Sequence, residues 1–120
     1  MISLSLFRNA ETREFAAGET IFSTGDDGDT MYVVAEGDVE IWVGPVLAEV
    51  VSHGGIFGEM ALIDHRKRSA DAIAQTRCKL IGVDQRRFQF LISETPFFAL
   101  QVMGIMATRL RNTNERLIKS

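Results

Sequence analysis

The spacing of apolar residues changes once along the chain, near Asp84, and this change constrains the fold more than any other feature. Before Asp84, short runs rich in β-branched and aromatic residues are separated by turn signals such as Gly37-Asp38 and Gly44-Pro45. After Asp84, apolar residues recur at helical intervals. The sequence therefore predicts a β-rich part followed by a helical part.

The β-rich part is expected over about residues 12–83. Many short strands with closely spaced turns favour a small antiparallel β-barrel over a parallel sheet. The predicted strands are Glu14–Ala16, Thr20–Phe22, Met31–Ala35, Val39–Val43, Val46–Val51, Ala70–Ala74 and Cys78–Val83.

The helical part is expected over about residues 84–119. Asp84 is a good N-cap for a helix from Arg86 to about Glu94. Pro96 suits the first position of a second helix, which would reach Lys119. That second helix would be about 36 Å long if it is continuous.

The long helix carries two neighbouring apolar stripes. One has heptad-like spacing and consists of Ala99, Met103, Met106, Leu110, Thr113 and Leu117. The other consists of Phe98, Val102 and Ile105. One stripe can pack on the barrel while the first meets the same helix of a second copy, and we expect such a homodimer. The alternative is that both stripes lie against the same domain.

Length, composition and charge exclude several classes of protein. The 120 residues suit a single domain, 1–120, and the hydrophobic fraction of 46% is ordinary for a globular protein. A net charge of −3 provides no overall basic field for nucleic acid. The opening Met1–Phe7 lacks the basic start of a signal peptide, and no apolar stretch reaches membrane-spanning length. We therefore expect a cytoplasmic protein that binds neither nucleic acid nor membrane.

The residues with the clearest chemical meaning lie between Gly54 and Ala70. Glycines there allow a ligand to approach the backbone, and a short helix over Glu59–Ile63 would direct N–H groups around Gly58 at an anion. Arg68 follows across one loop, and its planar guanidinium can bind a phosphate with two hydrogen bonds. Glu59, beside such an anion, needs a donor: a ribose hydroxyl, or Arg68 itself.

These residues carry a family resemblance. Phe57–Leu62 and Arg68–Ala70 resemble the phosphate-binding cassette of cyclic nucleotide-binding domains, which occur in the bacterial cAMP receptor protein family, protein kinase A regulatory subunits and cyclic nucleotide-gated channels. Segments 15–22, 25–34 and 36–40 are similar to that family's early strands and turns, so the resemblance covers nearly the whole chain. It implies a mainly β fold of the α+β class: an antiparallel jelly roll (a double-stranded β-helix), a short cassette helix and two C-terminal helices, the last one long.

The resemblance also implies a ligand and its contacts. Glu59 would accept the ribose 2′-OH, and Arg68 would bind the phosphate with help from the Gly58 N–H and the Ser69 hydroxyl. Thr113 and Asn114 would contact the purine, and Asn114 stands where serine is usual, which leaves cAMP or cGMP open. The complete set of expected contact residues is Phe57, Gly58, Glu59, Met60, Ala61, Arg68, Ser69, Ala70, Thr113 and Asn114.

The expected function is that of a non-enzymatic cAMP sensor, whose helices move or meet a partner protein when the ligand binds. The alternative is a family member that has lost the ligand and serves as a protein-interaction module. We expect no cofactor, no catalytic group and no metal: His53 and His65 are isolated, and Asp26, Asp27 and Asp29 suit a turn. The bacterial receptor branch continues into a helix-turn-helix domain, whereas these 120 residues end at Ser120, so we expect no DNA output from them.

Overall fold

A computed structural model describes the backbone of residues 2–119 and the side chains of residues 2–117. A 3₁₀ turn at Leu4–Phe7 precedes strands β1 (Thr12–Phe15), β2 (Thr20–Phe22), β3 (Thr30–Glu36), β4 (Val39–Val43), β5 (Val46–Val51) and β6 (Ile56–Phe57), helix α1 (Met60–Asp64), strands β7 (Asp71–Ala74) and β8 (Cys78–Asp84), and helices α2 (Gln85–Glu94) and α3 (Pro96–Lys119). The predicted order of strands and helices is confirmed. The 3₁₀ turn and β6 were not predicted, because elements of four and two residues carry no detectable period.

The strands form two four-stranded sheets, with orders β1-β8-β3-β6 and β2-β7-β4-β5. Every pairing is antiparallel, which confirms the expected jelly roll. Successive side chains of β3 point to opposite faces of the first sheet, and both faces are buried. Tyr32 and Val34 contribute to the core between the two sheets, whereas Met31 and Val33 contribute to a second core beneath the helices.

The helices are attached to the barrel by a capped start and a buried aromatic anchor. The carboxylate of Asp84 accepts a hydrogen bond from the Arg87 backbone N–H at 2.8 Å, so the predicted N-cap is confirmed. The chain bends by 114° between α2 and α3. Phe98, in the first turns of α3, is fully buried and packs edge-on against Phe7 and Phe88, at centroid distances of 6.4 and 6.0 Å. The N-terminal half of α3 therefore belongs to the core.

The two stripes of α3 divide differently from the prediction. Phe98 and Val102 are buried, as expected of the stripe that faces the barrel. Ala99 and Met106, expected to face a second copy, are half-buried, and Met106 packs against the core beneath the helices. A straight helix with 3.6 residues per turn rotates away from a strict seven-residue repeat, so the buried stripe takes in Met106. Four residues of the expected seam are exposed: Met103, Leu110, Thr113 and Leu117.

Among the residues that the structure describes, no single helix is both long and apolar enough to cross a membrane. Helices α2 and α3 reach that length and composition only together, across their bend.

Candidate functional site

A cavity of about 450 Å³ lies between the β2-β7-β4-β5 sheet, the segment that leads from β6 through α1 to β7, and the C-terminal half of α3. Nine of the ten predicted contact residues line it: Phe57, Gly58, Glu59, Met60, Ala61, Arg68, Ser69, Ala70 and Thr113. Asn114 does not. Asn112 lines the cavity instead, because each helical step turns the side chain by about 100°, and 114 lies beyond the face that carries 113.

The backbone of Arg68 is held on both sides by the loop between β2 and β3. Its N–H donates to the Asp26 carbonyl and its carbonyl accepts from the Gly25 N–H, each at 2.8 Å. These two bonds join segments that lie more than forty residues apart in sequence. Arg68 therefore enters the cavity from a backbone that cannot shift without breaking the loop contacts.

The guanidinium of Arg68 is buried and only partly hydrogen-bonded. Nη1 donates to the Gly58 carbonyl at 2.9 Å and Nη2 to the Thr30 carbonyl at 2.6 Å. The group lies 4.1 Å from the centroid of the Phe22 ring, within cation–π distance. Nε has no partner, although the residue is only 8% exposed. Arg68 lines the cavity, and Nη1 and Nη2 each carry a second N–H besides those that bind the two carbonyls.

Gly28 and Gly58 lie against the Arg68 guanidinium, and their lack of a side chain makes room for it. A Cβ on Gly28 would lie 2.4 Å from Nε of Arg68, and a Cβ on Gly58 would lie 2.7 Å from Nη1. Gly58 also has a φ of 79°, in the left-handed region where other residues are strained. Gly28 has no such backbone requirement, so its missing side chain serves only to make room for Arg68.

No carboxylate among the described side chains lies within ion-pair distance of Arg68. Burial lowers the pKa of its guanidinium, and the more distant charges of Tyr32, Asp29 and Asp26 partly oppose that shift. Arginine nevertheless stays protonated in proteins. The site therefore holds a buried, unneutralised cation, which favours an anion in the cavity.

Glu59 faces an arginine that the sequence analysis did not identify. The sequence left a ribose hydroxyl or Arg68 as its donor, but its carboxylate accepts a hydrogen bond from Nη1 of Arg109 at 2.7 Å. Glu59 is 4% exposed, so its carboxylate is almost fully removed from water, whereas the side chain of Arg109 is partly exposed. Arg109 also makes two 3.0 Å bonds and one 2.8 Å bond to Glu49 of β5, and Nη2 donates to the Ile56 carbonyl.

The electrostatics of Arg109 differ from those of Arg68. Burial alone would lower the pKa of the Arg109 guanidinium, but hydrogen bonds and charges from Glu49 and Glu59 outweigh it, and the net pKa is raised. Arg109 thus ties α3 to β5 and to the cassette with charge-assisted hydrogen bonds. The Glu59 carboxylate, which was expected to bind the ribose, is hydrogen-bonded in this structure to Arg109 of α3.

The cavity also includes residues that sequence reasoning missed. Arg109 and Arg116 lie four residues before and three after Thr113, which puts all three on one helical face. That spacing could have identified both arginines once Thr113 was assigned to the site. Arg116 donates to the Ala48 carbonyl at 2.9 Å. Glu49 carried no comparable signal, because nothing local indicates which face of β5 meets α3.

The residues set aside as turn or loop residues behave accordingly. Asp26 accepts a hydrogen bond from the Ser23 N–H at 3.0 Å, and Asp27 pairs with Lys67 at 3.2 Å. Nδ1 of His53 lies 3.0 Å from the Ala35 carbonyl. Within the described part of the chain, no group of three or more His, Cys, Asp or Glu side chains is arranged to hold a metal ion.

Comparison with known proteins gives relatives of similar fold. The chain is 26% identical over 118 residues to a CRP-like cAMP-activated global transcriptional regulator of Mycobacterium tuberculosis, covering 94% of this chain and 53% of that protein. It also matches the catabolite activator protein of Thermus thermophilus with a TM-score of 0.80 and 30% identity, over 90% of this chain and 53% of the other. The chain thus spans about half the length of these relatives.

A third match covers most of both chains. This structure comes from a cyclic-GMP-dependent signalling pathway that regulates bacterial phytopathogenesis, and it matches with a TM-score of 0.69 and 29% identity over 98% of this chain and 92% of that one. The family model described as cyclic nucleotide-binding domain matches residues 12–95. The match includes the cassette and Arg68 and extends over more than half of the sequence. The chain belongs to the cyclic nucleotide-binding domain family.

Proposed function

We propose that residues 1–120 form one regulatory domain that binds cAMP in the 450 Å³ cavity, with Arg68 on the cyclic phosphate. The observation that carries this proposal is the buried guanidinium, which lines the cavity, lacks a carboxylate partner among the described residues and has an unsatisfied Nε. A phosphate in the cavity would offer acceptors to the second N–H groups of Nη1 and Nη2 and would supply the missing negative charge.

The charge and size of the cavity support a cyclic nucleotide. Its lining includes Arg68, Arg109 and Arg116 against Glu49 and Glu59, a net charge of +1. A cyclic phosphodiester carries a single negative charge and complements that value. The volume falls within the range of about 300–1,000 Å³ that is usual for small-molecule sites.

Sugar binding would act on α3 through Glu59. Its carboxylate accepts a hydrogen bond from Arg109, and a ribose 2′-OH would offer a second donor to the same group. A ligand that shares or displaces the Arg109–Glu59 hydrogen bond would weaken the link between the cassette and α3. Such a differential contact is what a ligand needs to shift a conformational equilibrium. We therefore propose that the ligand repositions the C-terminal half of α3.

The purine would lie beside the helix face that carries Thr113 and Asn112. The Thr113 hydroxyl donates to the Arg109 carbonyl at 3.0 Å, which leaves its oxygen as an acceptor. Such an acceptor suits an exocyclic amino group, which adenine carries at C6 and guanine at C2. We favour cAMP over cGMP because the regulator similar to this chain is cAMP-activated. Asn114 has no part in this proposal, since it lies off the cavity wall.

A family member without ligand is the less favoured alternative. Loss of binding would remove the reason to keep Arg68 buried without a counter-charge, yet Arg68 and Glu59 both line the cavity. We further propose a non-enzymatic role in the cytoplasm. The regulator similar to this chain is a cAMP-activated transcription factor, which is a binding protein rather than an enzyme.

We propose a homodimer through α3, along a seam of exposed residues that differs in part from the seam predicted from the sequence. Leu100, Met103 and Leu110 are exposed by 61%, 55% and 63%, and Ala107 lies on the same side, which gives spacings of 3, 4 and 3. This is the spacing of a coiled-coil seam. Met106 is excluded from the seam because it packs on the core.

Replacing Arg68 tests the proposal directly. We expect isothermal titration calorimetry to give 1:1 binding of cAMP, weaker binding of cGMP and none of 5′-AMP. Arg68→Ala should weaken cAMP binding about 10- to 100-fold, the value of one or more hydrogen bonds to a charged group. Arg66→Ala, in the same exposed loop, is the matched control and should bind as the wild type does. Unchanged affinity in Arg68→Ala would reject the phosphate assignment.

Gly28→Ala tests whether the position of the guanidinium matters, and not only its charge. The added Cβ would overlap Nε of Arg68, so the side chain must move, and we expect cAMP to bind about tenfold more weakly. In an Arg68→Ala background, the same change should have no further effect. Gly104→Ala meets nothing within 4 Å and is the control. Independent, additive losses from Gly28→Ala and Arg68→Ala would contradict the mechanism.

Arg109→Met tests the link between α3 and the cassette. It leaves Glu59 buried without a partner, and we expect the free energy of unfolding to fall by about 2–3 kcal/mol in urea titrations, below the value for a fully buried pair because Arg109 is partly exposed. Adding Glu59→Gln should restore part of that loss. Arg111→Met, an exposed arginine of the same helix, should change little. Equal losses in both arginine variants would argue against the link.

Leu110→Asp tests the dimer. Sedimentation velocity over a range of concentrations should show a dimer for the wild type and a monomer for the variant, because a carboxylate in the seam is desolvated without a partner. Phe90→Asp, an exposed residue of α2 outside the seam, should leave the dimer intact. A wild-type monomer with and without cAMP would reject the seam.

A further inference from the structure

A second concave region lies away from the cyclic nucleotide cavity. It has a volume of about 730 Å³ and is formed by the 3₁₀ turn and the segment after it, the start of β1, Gly82 of β8 and Arg87 of α2. We call it the arginine cleft, after Arg8, Arg13 and Arg87 in its wall. It shares no lining residue with the cyclic nucleotide cavity.

The arginine cleft is positively charged in a protein of net charge −3. Its three arginines face a single acidic lining residue, Glu11, a net charge of +2. Among the side chains that the structure describes, none makes an ion pair with these arginines. Glu14, next to Arg13 in sequence, pairs with Arg77 at 2.9 Å instead. The cleft therefore concentrates positive charge that the protein itself does not neutralise.

Two of the guanidinium groups rest on surfaces within the fold. That of Arg87 lies 5.4 Å from the centroid of Phe7, a buried ring, and that of Arg13 lies beside Gly82. A Cβ on Gly82 would be 3.8 Å from the Arg13 guanidinium carbon. The ring contact restricts the Arg87 side chain while leaving its donors available.

We propose that the arginine cleft binds a small anion with several phosphoryl groups. Guanidinium forks match phosphate oxygens with paired hydrogen bonds, and three such forks suit a ligand with more than one phosphoryl group. Ser5, Asn9 and Thr12 add polar groups to the wall. An open cleft of this volume accommodates a small molecule, whereas a macromolecular partner would need a wider contact surface.

Inorganic tripolyphosphate is the probe for a calorimetric test on the whole chain. We expect 1:1 binding that weakens by about tenfold or more in Arg13→Gln/Arg87→Gln. Arg66→Gln/Arg86→Gln removes the same charge from exposed positions outside the cleft and should stay within about twofold of the wild type. Arg68→Ala should also retain tripolyphosphate binding, so this result is separate from the success or failure of the cyclic nucleotide proposal.

Three outcomes would overturn the assignment. The first is an absence of tripolyphosphate binding by the wild type at low ionic strength. The second is an equal loss in the two double variants, which would mean only a general response to charge. The third is tighter binding of hexaglutamate than of tripolyphosphate, which would indicate an acidic protein segment. Thermal melts of both variants establish that the fold is retained.

Discussion

The structure of the cavity depends on one buried cation. Arg68 is held by two carbonyl oxygens and the face of Phe22, and among the described residues no carboxylate neutralises it. Burial of an unpaired charge is costly, and dipoles and a ring quadrupole offset that cost only in part. Gly28 and Gly58 are tied to the same requirement, because a side chain at either would displace the guanidinium. Under the proposed function, an anionic ligand completes this arrangement.

Arg109 has the opposite electrostatic character and the opposite consequence. Its two carboxylate partners more than neutralise it, and they belong to β5 and to the residue that precedes α1. The far half of α3 is therefore tied to the cavity, while Phe98 and Val102 tie the near half to the core. A ligand that competes for Glu59 would act on the Arg109–Glu59 hydrogen bond, which lies in the more exposed half of α3. Under the proposed function, α3 responds to the ligand at its C-terminal end and keeps its anchor in the core at its N-terminal end.

Buried sheet faces explain why the site is placed where it is. The β1-β8-β3-β6 sheet is covered by the other sheet on one side and by α2 and α3 on the other. Because α2 and α3 meet at a bend of 114°, α3 runs from this core to the cavity beside the second sheet. The segment from β6 through α1 to Arg68 reaches the same place and is held there by the loop between β2 and β3. Three segments distant in sequence therefore meet at one cavity.

The amino-acid sequence alone determined the order of strands and helices and the N-cap at Asp84, and it pointed to Glu59 and Arg68 as candidate site residues, because periodicity, capping and a short cassette are local properties. It could not determine that Arg109 forms hydrogen bonds with both Glu59 and Glu49, or that Asn112 rather than Asn114 faces the cavity. Those facts depend on how α3 is rotated against the barrel. Only tertiary packing decides that rotation. Phe98, Val102 and Met106 pack against the core, and this fixes which side chains of the helix face the cavity.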